Sequence, residues 1–527
     1  MLTEIQTRPL YGKGRLRFPG WSRLAAVVLI FGAISVPVRT QPQDQPLSLT
    51  LSQCVEKALR ENLDLSIELL NPEMQTLTLK EAREKFLPQF YLSYRNSDTN
   101  QPGTWSVEGE IVKTKSDNIT FNLNQRLIWG TSLNLSVNNS MADTTRANTF
   151  INPSYASRVT LDLTQPLLRG FGSKYGQYEA TKAERNRAIA DTNLTARALD
   201  IVFQVEQAYW NLVQARESLR VQELSLVNSR EMLLRTREAA RIGTKLGIDV
   251  VNSETDVADW EDRVLTAKRT VQMNEDTLRS LLNLPAGGED PMIPLDQPTV
   301  EKREISVERL LQTALDHRPE MEVYRRRLEN SASDIDYSRN QSLPQLDLRV
   351  SLWSPGQSGV RNVYDPYTGL LLSRIVGGRA DSFSDIIKGK NKNWDVTLSL
   401  TVPLANLLSR TSLARAQLSR DQTQIEFEKQ RRAIEFEVHN TIRELQAKER
   451  KIESSTHSRE LQEKRVAAET QRYLQGLVGS DWLFTYQRNL ADAKSAEIRA
   501  VIDYKITLAR LDRATGTTTR FDGTKIR

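Results

Sequence analysis

Residues 58–92 and 314–348 align without a gap at an offset of 256: "ALRENLDL" stands against "ALDHRPEM", then "FLPQFYL" against "SLPQLDL", with Pro88 matching Pro344. A chain that carries one run twice builds two units of one design, and this constrains architecture before any single motif does. Farther on the offset shrinks, because the first half holds more residues in its strand region. Val159 matches Val396 at 237, Phe203 matches Phe436 at 233, and Asp249 matches Asp481 at 232. The order of elements is unchanged. The proline-rich run at 285–305 reads as the link between a first repeat, 41–284, and a second, 306–516, with a tail at 517–527.

Within each half the hydrophobic period switches. Ile119, Phe121, Leu123, Leu127 and Trp129 alternate with mostly polar neighbours, and "TSLNLSVNN" follows the same rule. So do Val159, Leu161 and Leu163 in the first half and Val396, Leu398, Leu400 and Val402 in the second. These are strands with one apolar and one polar face, the polar one rich in Asn, Thr, Ser and Asp. Two readings fit: a soluble sandwich, or strands that turn their apolar face to lipid and their polar face to a water-filled lumen. Because one chain has too few strands for a wide barrel, the second reading requires several chains. In the first half the runs at 118–129 and 131–138 either join the sheet or form an appended hairpin. The second-half stretch 353–393 reads as a long loop with little regular structure.

The helical segments are longer. Residues 174–241 contain no proline, and Ile201, Val205, Ala208, Leu212, Ala215, Leu219, Leu226 and Leu233 follow a 3-4 seam with gaps at Gln222 and Ser229. Val250, Val257, Val264, Val271 and Leu278 then recur at every seventh residue, which is coiled-coil spacing. The second half repeats the plan with Ile434, Val438, Ile442, Leu445 and Ile452, then Leu483, Leu490, Tyr504 and Leu511. A continuous helix over 174–241 is a rod of roughly 100 Å, too long and too charged to lie in a bilayer, so it projects into water. The rods turn back at "RIGTKLGIDVVN" (241–252) and "QGLVGSDWLFTY" (475–486). Gly243, Gly247, Gly476 and Gly479 are expected to supply flexible or left-handed backbone there. Asp249 and Asp481 fall where helices start, and capping alone accounts for both.

The first forty residues stand apart. Arg8, Lys13, Arg15, Arg17 and Arg23 precede the apolar run "LAAVVLIFGAISVPV", the layout of a cleaved export signal. The alternative, a single membrane anchor, needs roughly 20 apolar residues. Loss of residues 1–40 removes six basic residues and one acid, so the formal charge falls from +6 to +1, and a nucleic-acid partner is not expected. The single cysteine, Cys54, excludes an intrachain disulfide and a cysteine-cluster metal site. It reads as a small apolar residue on a helix face rather than a lipid-anchor cysteine. His317, His439 and His457 lie in unrelated helical contexts, and "RGFGSKYG" at 169–176 lacks phosphate-loop spacing and reads as a strand-to-helix bend. No catalytic, cofactor or metal site is expected.

Taken in order, the "LPQ" before each first strand, "LTQPLLRGFG", the glycine-containing tips with "GIDVVN" and the late "ARLDRATGT" resemble the TolC family of outer-membrane efflux proteins, over about residues 47–516. The resemblance implies a fold that is mainly α with a β-barrel part. In it, a homotrimer closes one shared barrel in the outer membrane over a tunnel of long helices crossing the periplasm of a Gram-negative cell. It implies that Pro166 and Pro403 mark the handover from strand to helix. It further implies that the tips close the periplasmic entrance and dock a membrane-fusion adaptor joined to an inner-membrane pump, in a tripartite efflux or type I secretion system. Asp481 matches the first acid of an entrance-lining pattern, with Asp249 its counterpart in the first tip, but Phe484 stands where the second acid belongs. The rival class is an exported coiled-coil scaffold or adhesin that does not conduct.

Overall fold

The computed structural model describes residues 47–518 apart from 105–106, 108, 147–148, 286, 288–289, 301–302, 304, 369, 403–406 and 476. The expected export segment, Pro403 and Gly476 lie outside the described residues.

A short strand β1 (Leu47–Leu49) leads into helices α1 (Leu51–Glu61) and α2 (Leu63–Glu84). Thr50 and Gln53 start α1 with a reciprocal capping box, the Thr50 hydroxyl accepting from the Gln53 N–H and Gln53 Oε1 accepting from the Thr50 N–H. Asn62 breaks the helix in extended backbone and caps α2, its Oδ1 accepting from the Leu65 N–H at 3.1 Å. Four strands follow, β2 (Gln89–Pro102), β3 (Ile111–Arg126), β4 (Ser132–Thr144) and β5 (Ile151–Pro166), then a one-turn helix α3 (Ser173–Gly176) and the long antiparallel helices α4 (Tyr178–Arg241) and α5 (Gly247–Leu281). Strand β6 (Met292–Pro294) returns to pair in parallel with β1. The second half runs α6 (Val307–His317), α7 (Pro319–Gln341), β7 (Gln345–Tyr364), β8 (Leu371–Val376), α8 (Arg379–Ile387), β9 (Asn393–Thr401), α9 (Leu407–Leu474) and α10 (Ser480–Thr515).

All strands but β1 and β6 form one antiparallel sheet in the order β2-β3-β4-β5-β7, with β8 and β9 end to end along the far edge of β7. The β3–β4 pair is therefore a full member of the sheet, not an appendage. The stretch 353–393 is also more regular than its composition suggests: β7 continues to Tyr364, and β8 and α8 follow. Pro355 is tolerated because it falls in residues 354–359, where the far edge of β7 carries neither β8 nor β9. At Gly356 a Cβ would meet the Ser382 carbonyl oxygen at 1.9 Å, so glycine is what lets α8 lie on the strand.

The helices form a layer four rods wide. Next to the sheet, neighbouring rods are α2, α4, α7 and α9; toward the tips they are α5, α4, α10 and α9. The predicted seams are the packed faces: Ile201, Val205, Ala208, Leu212 and Ala215 are buried together with Cys54 of α1, Leu278 of α5 and Ile502 of α10. Ile434, Val438, Ile442 and Leu445 pack with Tyr504 and Leu511. Among the described residues no helix is long and apolar enough to cross a membrane.

Candidate functional site: sheet faces and helix tips

The strand register sorts side chains into rows. Phe90, Leu123, Leu135, Leu161, Leu352 and Trp394 stand directly opposite one another across the whole sheet. One residue along, on the other face, the row reads Gln89, Asn124, Asn134, Asp162, Ser351 and Asp395. Since side chains alternate in a strand, these rows make one apolar and one polar face. On the polar face the Asp162 carboxylate accepts from Ser351 Oγ at 2.5 Å and Arg349 Nη2 at 3.0 Å. Among the described residues no strand pairs with the outer edge of β2 or of β9, and Leu92 on β2 and Trp394 on β9 are 72% and 71% exposed.

At the opposite end of the molecule the two tips meet. Asp249 is the third residue of α5 and its Oδ2 accepts from the Leu246 N–H at 3.0 Å, so it closes the helix start. Its Oδ1 also accepts from Ser480 Oγ, the first residue of α10, at 3.4 Å. The Lys245 ammonium lies 4.4 Å from the Tyr473 ring centroid, a second tie between the tips. Asp481, at the second position of α10, is exposed and makes no side-chain bond among the described residues. Phe484 is buried rather than facing water.

The glycines differ in what they do. Gly243 turns the chain in left-handed backbone at φ 79, whereas Gly247 is already helical and Gly479 has φ −75, so neither of these two needs the left-handed region the sequence suggested. Pro166 is the last residue of β5, but no helix starts there: residues 167–172 bend first, and α3 begins at Ser173. The features that sequence reasoning missed are the Ser480 tie and the apolar surface beside it. Ile242, Leu246 and Ile248 on one tip and Leu474, Leu477 and Trp482 on the other are all more than half exposed. Their signal was present as large apolar residues in glycine-bearing turns.

Between tips and sheet, the heptad gap at Ser229 is a buried polar contact. Ser229 Oγ donates to Asp256 Oδ2 at 2.7 Å, and Trp260 Nε1 donates to the same oxygen at 3.2 Å. Asp256 Oδ1 is buried without a partner, and burial raises this carboxyl above the ordinary aspartate range, with the Ser229 bond and the Arg488 charge opposing. Farther along, Arg318 is nearly buried between Glu320 at 2.8 Å and Glu437 at 2.5 Å, and Arg513 adds bonds to Glu437 and Asp200. Cys54 is fully buried in α1, and burial followed by the Asp296 charge pushes its thiol up to about 12. Such a thiol is a packing group, not an attachment point. The three histidines lie apart on exposed helix surfaces.

A family model described as "Outer membrane efflux protein" matches residues 124–284 and 310–517. Among solved structures, the CmeC outer membrane channel of Campylobacter jejuni is similar at a TM-score of 0.63 and 16% identity, covering 89% of this chain and 86% of that one. The MtrE outer membrane channel of Neisseria gonorrhoeae, in its open state, aligns at 0.62 and 17% identity over 89% of each chain. The outer membrane protein VceC of Vibrio cholerae aligns at 0.62 and 14% identity, over 88% of this chain and 96% of that one. No curated protein sequence matches significantly.

Proposed function

The chain belongs to the outer membrane efflux protein family, and from that premise we propose that three copies build one passive channel-tunnel of a tripartite efflux or type I secretion system. The observation that carries this reading is the continuity of a two-faced sheet with a four-rod helical layer. The sheet is six strand positions wide, counting β8 and β9 as one. At about 4.8 Å per strand and a tilt near 40°, six positions span roughly 38 Å of wall. Four rods at about 9–10 Å span roughly the same. The barrel then continues the tunnel at nearly constant bore, without a neck.

An even number of strands per chain also lets every junction be antiparallel. β2 runs away from the helices and β8 and β9 run toward them, so β2 of one copy pairs with β8 and β9 of the next. Three six-wide sheets give 18 positions, in the size range that leaves an aqueous channel. The apolar rows then face lipid, the polar rows the lumen, and no edge remains open. The matching bounds of α1 and α6, and the matching starts of α2 and α7 and of β2 and β7, all at an offset of 256, support a duplicated unit.

The helices extend into the periplasm. There the apolar tips form the docking surface for a periplasmic adaptor protein, through which the channel meets an inner-membrane pump. Asp481, repeated by the threefold axis, contributes a negative ring at the mouth. Purified protein in a planar bilayer should give single-channel conductance. Absence of conductance under every gating condition would instead favour an anchored, non-conducting scaffold.

A further inference from the structure

We propose that α8 and the basic run after it form an interfacial site for a phosphate-bearing lipid of the outer leaflet; this rests on the membrane-barrel reading above. Along β4, β5 and β7 the apolar rows have given way to small or polar residues by the level of Asn139, Ser157 and Gly356, and α8 is seated on that boundary, on the apolar side. Ser382 Oγ lies 2.7 Å from Ser157 Oγ, both side chains being buried. Gly356 permits the close approach, and Arg379 pairs with Asp117 and lies over the Tyr155 ring. Ser157, Gly356, Asp117 and Tyr155 all share the face of Leu161, Leu352 and Phe121.

The helix therefore belongs to the outer wall, at the end of the sheet remote from the tunnel. It is pinned there by the Ser382 and Arg379 contacts and by Ile386 lying over Gly356. The other two large apolar residues of the helix point elsewhere: Ile387 is 77% exposed and Phe383 is 38% exposed, one turn apart on one side. The chain leaves the helix through Lys388, Lys390 and Lys392. Lys390 is held by Asp385 at 2.6 Å. Lys388 and Lys392 have no ion-pair partner among the described residues. Exposed apolar side chains continuous with a lipid-facing belt, beside unneutralised ammonium groups at its outer rim, match one kind of surface: acyl chains below and phosphate groups above. Lysine provides the point charge and the flexible stem that reaches a headgroup plane.

The test is binding of diphosphoryl lipid A to the detergent-purified full-length protein, followed by native mass spectrometry, for wild type and for the double variant Lys388→Gln/Lys392→Gln. The inference expects the wild type to retain this lipid in preference to phosphatidylcholine, and the variant to bind it roughly tenfold more weakly. The variant's channel conductance should be unchanged. Equal retention of both lipids by the wild type, or equal binding by the variant, would overturn it. Displacement of the lipid by millimolar inorganic phosphate would make this a free-anion site and overturn it too. If the variant falls apart into single chains, α8 is a subunit contact and the lipid site is wrong. Wild-type protein that neither inserts nor conducts would sink the channel reading itself, a separate result.

Discussion

Ser480 Oγ lies 3.4 Å from Asp249 Oδ1, so the first residue of α10 donates to the third residue of α5, and the two helix turns are tied by one carboxylate that also closes its own helix. Replacing Asp249 with Ala removes both bonds, at a cost of about 1 kcal/mol. The loss is local. Amide hydrogen exchange over residues 242–250 should speed up while the global melting temperature stays within a degree or two. Unchanged exchange there would mean that the tie carries no energy.

Among the described residues Asp481 makes no such side-chain bond, and this separates it from Asp249. A negative ring predicts that Asp481→Asn lowers cation preference and weakens block by multivalent cations, while Asp249→Asn leaves both nearly unchanged. Three carboxylates in a narrow mouth act within one another's unscreened range, roughly 8 to 10 Å, whereas a charge on an outer face does not. Reversal potentials measured across a salt gradient decide the matter. No shift in Asp481→Asn would leave the entrance to other residues.

Docking through the apolar tips predicts that single cysteines at Leu246 and Leu477 crosslink to the periplasmic adaptor in intact envelopes. Cys54 can stay in place, because its buried thiol is held up at about 12 and remains protonated. Crosslinks confined to mid-rod positions such as Gln222 would contradict this placement.

Two carboxylates make opposite contributions to pH stability. Burial tends to raise Glu320, but its bonds to Arg318 outweigh this and hold it below the ordinary glutamate range. Its stabilisation is therefore present at neutral pH and lost as the medium turns acid. Asp256 is raised by burial, so its contribution is complete in acid and is lost as pH rises through its folded value. Asp256→Asn should therefore melt higher than wild type at pH 8, with the gap closing toward pH 4. A lower melting point at pH 8 would show that the carboxylate is favoured there. Arg318→Ala leaves Glu320 and Glu437 with Arg513 as their shared partner, and since both are about a third exposed the loss falls near the low end of roughly 3–5 kcal/mol.

Much of the architecture was readable because its signals are periodic. The seams of α4 and α9 and the alternation in β3, β5 and β9 each repeat often enough to outweigh single exceptions such as Ser229. The ungapped offset of 256 marked the end of α6, α7 and the start of β7 as a second copy of the end of α1, α2 and the start of β2. What escaped the sequence depends on contacts far apart in the chain. Strands β1 and β6 are three residues each and pair across more than two hundred positions, so neither carries a pattern. Strand β7 passes through Pro355 and Gly356, which locally argue for a loop, and only the missing neighbour strand and the seated helix make them acceptable. Helix α8 did have a start signal, Asp381 accepting from the Gly378 N–H at 2.8 Å, but nine residues are too few to show a period. The tips were located by their glycines. The Ser480 tie needed two turns brought together from opposite halves.

The central claim is that three chains complete one barrel with six strand positions from each. Single-particle imaging of the full-length protein in lipid nanodiscs tests it most directly. The account predicts a threefold particle with 18 strands, β3 and β4 in the wall, and β2 of each chain antiparallel to β9 of its neighbour. A barrel wall lacking β3 and β4, a different number of copies, or a sheet edge left unpaired would contradict it.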